Sequence, residues 1–264
     1  MRYWSFVYLF IAVACTAVFI YAPLDQDWWL PPNHSKIGIE IDHLFFLILG
    51  ITGVAFIGTQ LLLAYALWTS TARPGGRATY FHGSQRLEVI WTIIPSAILV
   101  FIGLYQLGPW AEIKFRASQP KVAPLAEITG RQFQWMIRYP GPDGRLDTPD
   151  DLHTVNDLRF VKKQDVVVYL RSKDVIHSFF IPELRIKQDA VPGLEIPVWF
   201  DCDEAGPYEL VCAELCGWGH YKMRGMITVY ATQAEFDKWQ AEELEKQAAD
   251  QFHVASSAAQ PEEK

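Results

Sequence analysis

Cysteine is scarce in this sequence: four in 264 residues, at 15, 202, 212 and 216. So few, so unevenly spaced, imply no disulfide framework. Excess positive charge is missing too. Lysine and arginine number 23 against 30 acids, a formal net charge of −7. That balance argues against nucleic acid as a partner and suits a basic one. Internal repeats are absent, and methionine, like cysteine, occurs only four times. Against that scarcity, the stretch "CAELCGWGHYKM" at 212–223 gathers two cysteines, a histidine and a methionine.

What the chain has in quantity is apolar length, with 50% of its residues hydrophobic. Runs at roughly 3–24, 43–68 and 89–108 are each long enough to cross a bilayer as a helix. The first run, behind Met1 and Arg2, also has the form of a signal peptide, with Cys15 as a lipoprotein site. It continues through "TAVFIYAPL" with no A-x-A site after it. An anchor of two or three helices is therefore expected, three being favoured. The loop 69–86 carries Arg73, Arg77 and Arg86 and no acid, whereas 25–42 carries Asp25, Asp27, Glu40 and Asp42 against Lys36. The positive-inside rule puts the first loop in the cytoplasm, and the second outside with everything after residue 108.

From about 120 to 231 the texture changes. "AEITGRQFQWMIRYP", "DVVVYLRS", "VIHSFFIP", "LEIPVWFDC", "YELVCAEL" and "MRGMITVYA" are short β-prone runs separated by Gly, Pro and Asp. They predict an antiparallel sandwich or barrel. Thr232 and Glu235 then form a capping box, opening a helix with Phe236, Trp239 and Leu244 near one face. From about Val254 the chain is small, polar and charged, the composition of a disordered tail. The expected divisions are an N-terminal span and external loop at 1–42, a helical hairpin at 43–108, an external domain at 109–231, and a C-terminal helix and tail at 232–264.

Cys212, Cys216 and His220 are spaced by four and Met223 follows three later, which would share a helix face. Gly217 and Gly219 and the strand-like flanks favour a loop between two strands instead. Taken alone, the cysteine pair also suits a disulfide. His177, in "VIHSFFIP", is by itself an ordinary strand histidine. Added to the later cluster it completes two thiols, two imidazoles and a thioether. Zinc has no use for the thioether, whereas this mixture is a copper preference. Two thiolates can bridge two coppers, each then taking one histidine and one weak ligand.

The segments "HSFFIP", "DAVPG" and "CAELCGWGHYKM", with the membrane hairpin, resemble subunit II of haem–copper cytochrome c oxidases over roughly 43–240. The resemblance implies a cupredoxin-like Greek-key barrel carrying the binuclear CuA centre. It makes Cys212 and Cys216 the bridging thiolates, and His177 and His220 the imidazole ligands. Met223 is the weak thioether ligand and the Glu214 backbone carbonyl the other weak ligand. It also implies a magnesium or manganese ion shared by the Glu214 carboxylate and subunit I, the alternative being a solvated loop acid. Trp218, Phe179 and Phe180 would exclude water from the copper, unless they are ordinary core residues. In the membrane part, Glu88 in "LEVIWTIIP" matches an acid at the mouth of a proton path; the simpler reading is an acid stabilised at a helix N-terminus.

The function so implied is that of subunit II of an aa3-type or related oxidase. It takes electrons from a c-type haem and passes them to haem in subunit I, where oxygen becomes water with proton translocation. Subunits I and III, a cytochrome c or tethered c-type cytochrome, a respiratory supercomplex and the bilayer are the expected partners. Haem belongs only to a partner. The setting is a bacterial-type inner membrane, crossed several times, with the copper domain on the periplasmic side. A copper-free quinol oxidase subunit and a copper-delivery protein are rivals that the complete ligand set disfavours. A nitrous oxide reductase shares the centre but needs a larger catalytic domain.

The chain departs from the family at Phe133 in "GRQFQW", where a tryptophan usually receives the electron; Trp135 matches a different family tryptophan. Asp143, Asp147, Asp150 and Asp151 could steer a basic donor, or form a solvated turn. Their spacing misses the EF-hand pattern. Together these features suggest a tethered donor in place of soluble cytochrome c.

Overall fold

The computed structural model describes residues 2–22, 28, 30–70, 80–115 and 118–258, with side chains as far as residue 250. Asp25 and Asp27, Arg73 and Arg77, and 259–264 lie outside the described residues. Two compact units form, 1–32 with 40–112 and 33–39 with 113–264.

The first unit is helical. Helices α1 (Arg2–Tyr21) and α2 (Lys36–Thr69) precede α3 (Gln85–Tyr105), which runs on past Gln106 into α4 (Leu107–Lys114). Among the described residues, three helical stretches are long and apolar enough to span a membrane, and the most apolar windows are only 11%, 6% and 0% buried. Apolar surface turned outward along whole helices suits a lipid solvent and not a protein core. The first apolar run forms a third helix lying antiparallel along α2. Ser5 Oγ donates to Ala64 O at 2.8 Å, Phe6 meets Trp68 edge-on, and Phe19 rests against Gly53.

From residue 126 the described residues of the second unit form ten strands and a final helix. One sheet has the order β3-β2-β1-β5-β8 and the other β4-β10-β9-β6-β7. Their ranges are β1 Ala126–Arg131, β2 Gln134–Tyr139, β3 Leu152–Val155, β4 Asp157–Val161 and β5 Val166–Ser172. After them come β6 His177–Ile181, β7 Ile186–Ala190, β8 Ile196–Phe200, β9 Gly206–Cys212 and β10 Arg224–Tyr230. Alternation drives the burial: β2 turns Trp135, Ile137 and Tyr139 inward and leaves its other residues half-buried. The chain changes sheets at Asn156, whose positive φ of 57° suits an asparagine. Its backbone N–H and side-chain oxygen hold Trp135, and its carbonyl accepts from Met226 N at 2.7 Å.

Helix α5 (Gln233–Ala258) closes one end of the barrel and extends past Val254, where the sequence suggested a tail. Its capping box forms: Glu235 N donates to Thr232 Oγ1 at 3.3 Å and Thr232 N to Glu235 Oε2 at 3.2 Å. Phe236 and Trp239 are buried against Tyr139, and Leu244 packs beside them.

The acidic loop 140–151 lies at this same end. It follows the last residue of β2, whereas Phe133 precedes the first, so the strand puts about 17 Å between them. Much of its charge is spent internally. Asp151 is fully buried and accepts from Asp147 N and Thr148 Oγ1. Asp147 pairs with Arg138 at 2.6 Å, and Asp150 accepts from Asp143 N at 3.4 Å. The structure therefore makes this a self-bonded turn at the end of the domain away from the cysteine loop.

Candidate metal centre

The cysteine loop joins β9 to β10 at the opposite end of the barrel. Strand register brings its ligands together. β6 pairs with β9 so that Phe179 faces Cys212. His177, two residues from Phe179, shares its inward face. Cys212 N donates to Met223 O at 3.1 Å, which places Met223 on the other side of Cys212. The intervening residues form a loop with one short 3-10 turn at His220–Lys222, as the glycines predicted.

Cys212 Sγ lies 3.9 Å from Cys216 Sγ, roughly twice a disulfide bond length, and both thiols are free. The disulfide alternative is not realised. Cys212 Sγ is 4.0 Å from His177 Nδ1 and 3.3 Å from Glu214 O. Cys216 Sγ is 3.7 Å from His220 Nδ1 and 3.8 Å from Met223 Sδ. Donors about 2.2 Å from a tetrahedral ion sit about 3.6 Å apart, so these spacings suit metal ligation. His177, Cys212 and Cys216 have donor atoms all within 4.8 Å of one another, and all three are buried. Each thiol thus has its own imidazole and its own weak donor, and the thiols have each other. The six residues singled out from the sequence converge, Glu214 through its backbone carbonyl while its side chain is exposed.

The electrostatics favour a cation here. Burial opposes ionisation of Cys212, but the imidazole of His177 and neighbouring backbone groups outweigh it and lower the thiol. Burial and the adjacent Cys212 push the Cys216 thiol up. Two thiolates this close need positive charge between them to coexist.

Three residues not anticipated from the sequence, Asp174, Gln132 and Gly130, shape the site together with Gly219. Asp174 accepts from the second nitrogen of His177, Nε2, at 2.8 Å, leaving Nδ1 turned to Cys212. The same carboxylate takes Gln132 N at 2.8 Å and Val175 N at 2.7 Å. Burial works against the Asp174 charge, but these donors outweigh it and lower its pKa. Gln132 Nε2 donates to Cys216 O at 2.5 Å. A Cβ at Gly130 would come within 2.8 Å of the His177 ring, and one at Gly219 within 2.4 Å of Phe133. An aspartate three residues before a strand histidine is the one signal that could have flagged this layer.

Outer partners of metal-bound histidines typically contribute 10–100-fold to affinity. Asp174→Ala is expected to lose copper to a competing chelator about 10–100-fold more readily, with Asp174→Asn in between. Unchanged retention in the alanine variant would reduce Asp174 to a turn residue.

The aromatic neighbours divide. Phe179 is buried and Trp135 stands behind His177, with ring centroids 6.0 Å apart. Phe180 lies on the other face of β6 and is only half-buried. Trp218 is 82% exposed, so it does not seal the site. Phe133 is half-buried beneath the loop and meets Trp218 edge-on at 5.2 Å.

Soft sulfur and imidazole donors at one end of a two-sheet barrel, with apolar spans elsewhere in the chain, define a membrane-anchored copper protein of cupredoxin type. Comparison with known proteins makes this specific. Residues 128–230 match the family described as cytochrome c oxidase subunit II, periplasmic domain, and 24–108 match its transmembrane domain. The chain is 31% identical over 258 residues to the alternative cytochrome c oxidase subunit 2 of Bradyrhizobium diazoefficiens, covering 89% of this chain and 90% of that protein. It is 29% identical over 234 residues to cytochrome c oxidase subunit 2 of Cereibacter sphaeroides, covering 77% and 76%. The chain belongs to the cytochrome c oxidase subunit II family. Among solved structures, the periplasmic domain of subunit II from Bradyrhizobium japonicum aligns at 27% identity and a TM-score of 0.43, over 48% of this chain and 97% of that one.

Proposed function

We propose that this subunit of a haem–copper oxidase receives electrons from a c-type haem donor at a CuA pair held by His177, Cys212, Cys216, His220, Met223 and the Glu214 carbonyl. It delivers them to haem in subunit I, where oxygen is reduced. The observation that supports this most is the doubled arrangement of two touching thiols, each with its own imidazole and weak donor. The copper pair, when bound, takes up and releases one electron at a time. The protein's part is to hold the donors still and dry. Cys212, Cys216 and Met223 are buried, Asp174 orients one imidazole, and the β9–β10 register fixes Met223 beside Cys212. Metal analysis of the purified oxidase should find two coppers in this subunit, with strong thiolate-to-copper visible absorption. A single copper or none would sink the proposal.

The exposed Glu214 carboxylate is free to help ligate a magnesium or manganese ion with subunit I. The β domain faces the periplasm of a bacterial-type inner membrane, opposite the arginine-rich loop.

Glu88 assists proton uptake in this reading. It sits in the first turn of α3, one helical turn after the cap Ser84, and is exposed. Glu88→Gln should slow turnover by about 3–10-fold, less than the 10²–10⁴-fold of a positioned acid because water can carry protons nearby. Copper content should not change. Oxygen uptake coupled to pH recording checks this, and parental rates would leave Glu88 as a helix-end charge stabilised by the dipole.

A further inference from the structure

The most exposed large aromatic of the β domain is attached to the buried metal site. Trp218 is 82% exposed, two residues from Cys216 and two from His220. Its indole is not loose: it stands edge-on against Phe133 at 5.2 Å. Phe133 is wedged under Gly217 and Gly219, where added Cβ atoms would come within 3.1 and 2.4 Å of its ring. The two glycines thus let the loop close over one ring and present the next. Tyr221, 67% exposed, is a second exposed aromatic on the same loop. A solvent-facing tryptophan braced on a neighbouring ring has the character of a binding hot spot, since it buries much area on contact.

Cations outnumber acids around this tip, where Glu214 is the exposed acid of the loop and is assigned above to the ion shared with subunit I. Arg131 and Lys173 are exposed at the ends of β1 and β5, and Lys222 lies over the Tyr221 ring at 5.5 Å. Asp174 is tied to His177 and Gln132, and the acidic loop occupies the other end of the barrel. We infer that Trp218 is the contact through which the electron arrives, and that its donor is a c-type haem domain whose apolar haem edge is ringed by acidic side chains. This rests on the proposed CuA function. In the step, one electron leaves a ferrous haem, making it ferric, and reduces the oxidised copper centre by one; no bond changes and no proton moves.

The test uses the intact oxidase and two ferrous soluble c-type cytochromes, one of net negative and one of net positive charge. Reduction of the copper centre is followed by stopped flow, with dithionite as a small reductant that needs no docking. Trp218→Leu should slow reduction by the acidic cytochrome about 10-fold, and Trp218→Phe less than about 3-fold, as expected of a hot spot. Copper content, visible spectrum and dithionite rate should stay at parental values, which the exposure of Trp218 permits. Lys222→Glu should slow the acidic cytochrome and quicken the basic one, an effect that salt weakens. Parental rates in Trp218→Leu would overturn the contact, and a faster acidic cytochrome in Lys222→Glu would overturn the assignment of donor charge. A parental centre that dithionite reduces but neither cytochrome does would overturn the contact while leaving the copper site standing. A centre without two coppers would overturn the underlying function instead.

Discussion

Cys216→Ser is expected to reduce copper from two to at most one per subunit and to abolish the two-copper visible and EPR spectrum. Turnover should fall by more than about 100-fold, beyond the 10–100-fold that losing an outer partner costs. Cys216 lies within 4 Å of Cys212, His220 and Met223 donor atoms, so no other side chain takes its place. A hydroxyl is a harder and far less acidic donor than a thiol and is a poor bridge between soft ions. Cys202→Ser is the control: Cys202 is buried and donates to Glu204 O at 3.2 Å, and it is not among the clustered donors. Metal analysis, spectra and oxygen uptake on both variants decide the matter. A two-copper spectrum in Cys216→Ser would disprove the bridging role.

The second large effect is expected from Gly219→Ala, a change of one methyl group. The new Cβ would lie 2.4 Å from Phe133 Cδ2 and 2.6 Å from Cγ, atoms too near the backbone to swing aside. The ring is also confined by Gly217 and Trp218. The loop must therefore lift, carrying His220 and Met223 with it. Overpacking of this kind costs about 1–3 kcal/mol, and most of the bound copper should be lost. Phe133→Ala makes room, so the double variant should recover copper that Gly219→Ala alone loses. That non-additivity in a double-mutant cycle is the signature of direct contact. Additive losses, or full copper in Gly219→Ala, would mean that the loop does not close on Phe133.

How much of this was legible beforehand depended on distance along the chain. The runs that became β1, β2, β5, β6, β8, β9 and β10 are rich in β-branched and aromatic residues and were anticipated. β3, β4 and β7 were not. "LHTV", "DLRFV" and "IKQDA" are short and partly charged, and they become strands by pairing with neighbours already in place. The metal ligands were legible because copper chemistry restricts residue type and the loop crowds four of the five side-chain ligands into twelve positions. The acidic run was ambiguous because its composition suits steering and turns equally. The hydrogen bonds of Asp151 and the direction of β2 show that it is a turn at the end of the domain away from the metal loop.

By itself, then, the sequence determined what short-range chemistry can specify: apolar spans, strand-forming runs, the capping box and a copper-type ligand set. Tertiary structure decided what meets across long separations. It brought His177 to Cys212, 35 residues away, set Asp174 behind that imidazole, and put Phe133 under a loop some 80 residues later. It also turned Trp218 to solvent and sent the acids to the far end. The reason is physical. Helical and strand periodicity, caps and ligand spacing are properties of neighbouring residues, whereas register and facing arise only when two sheets pair and bury a common core.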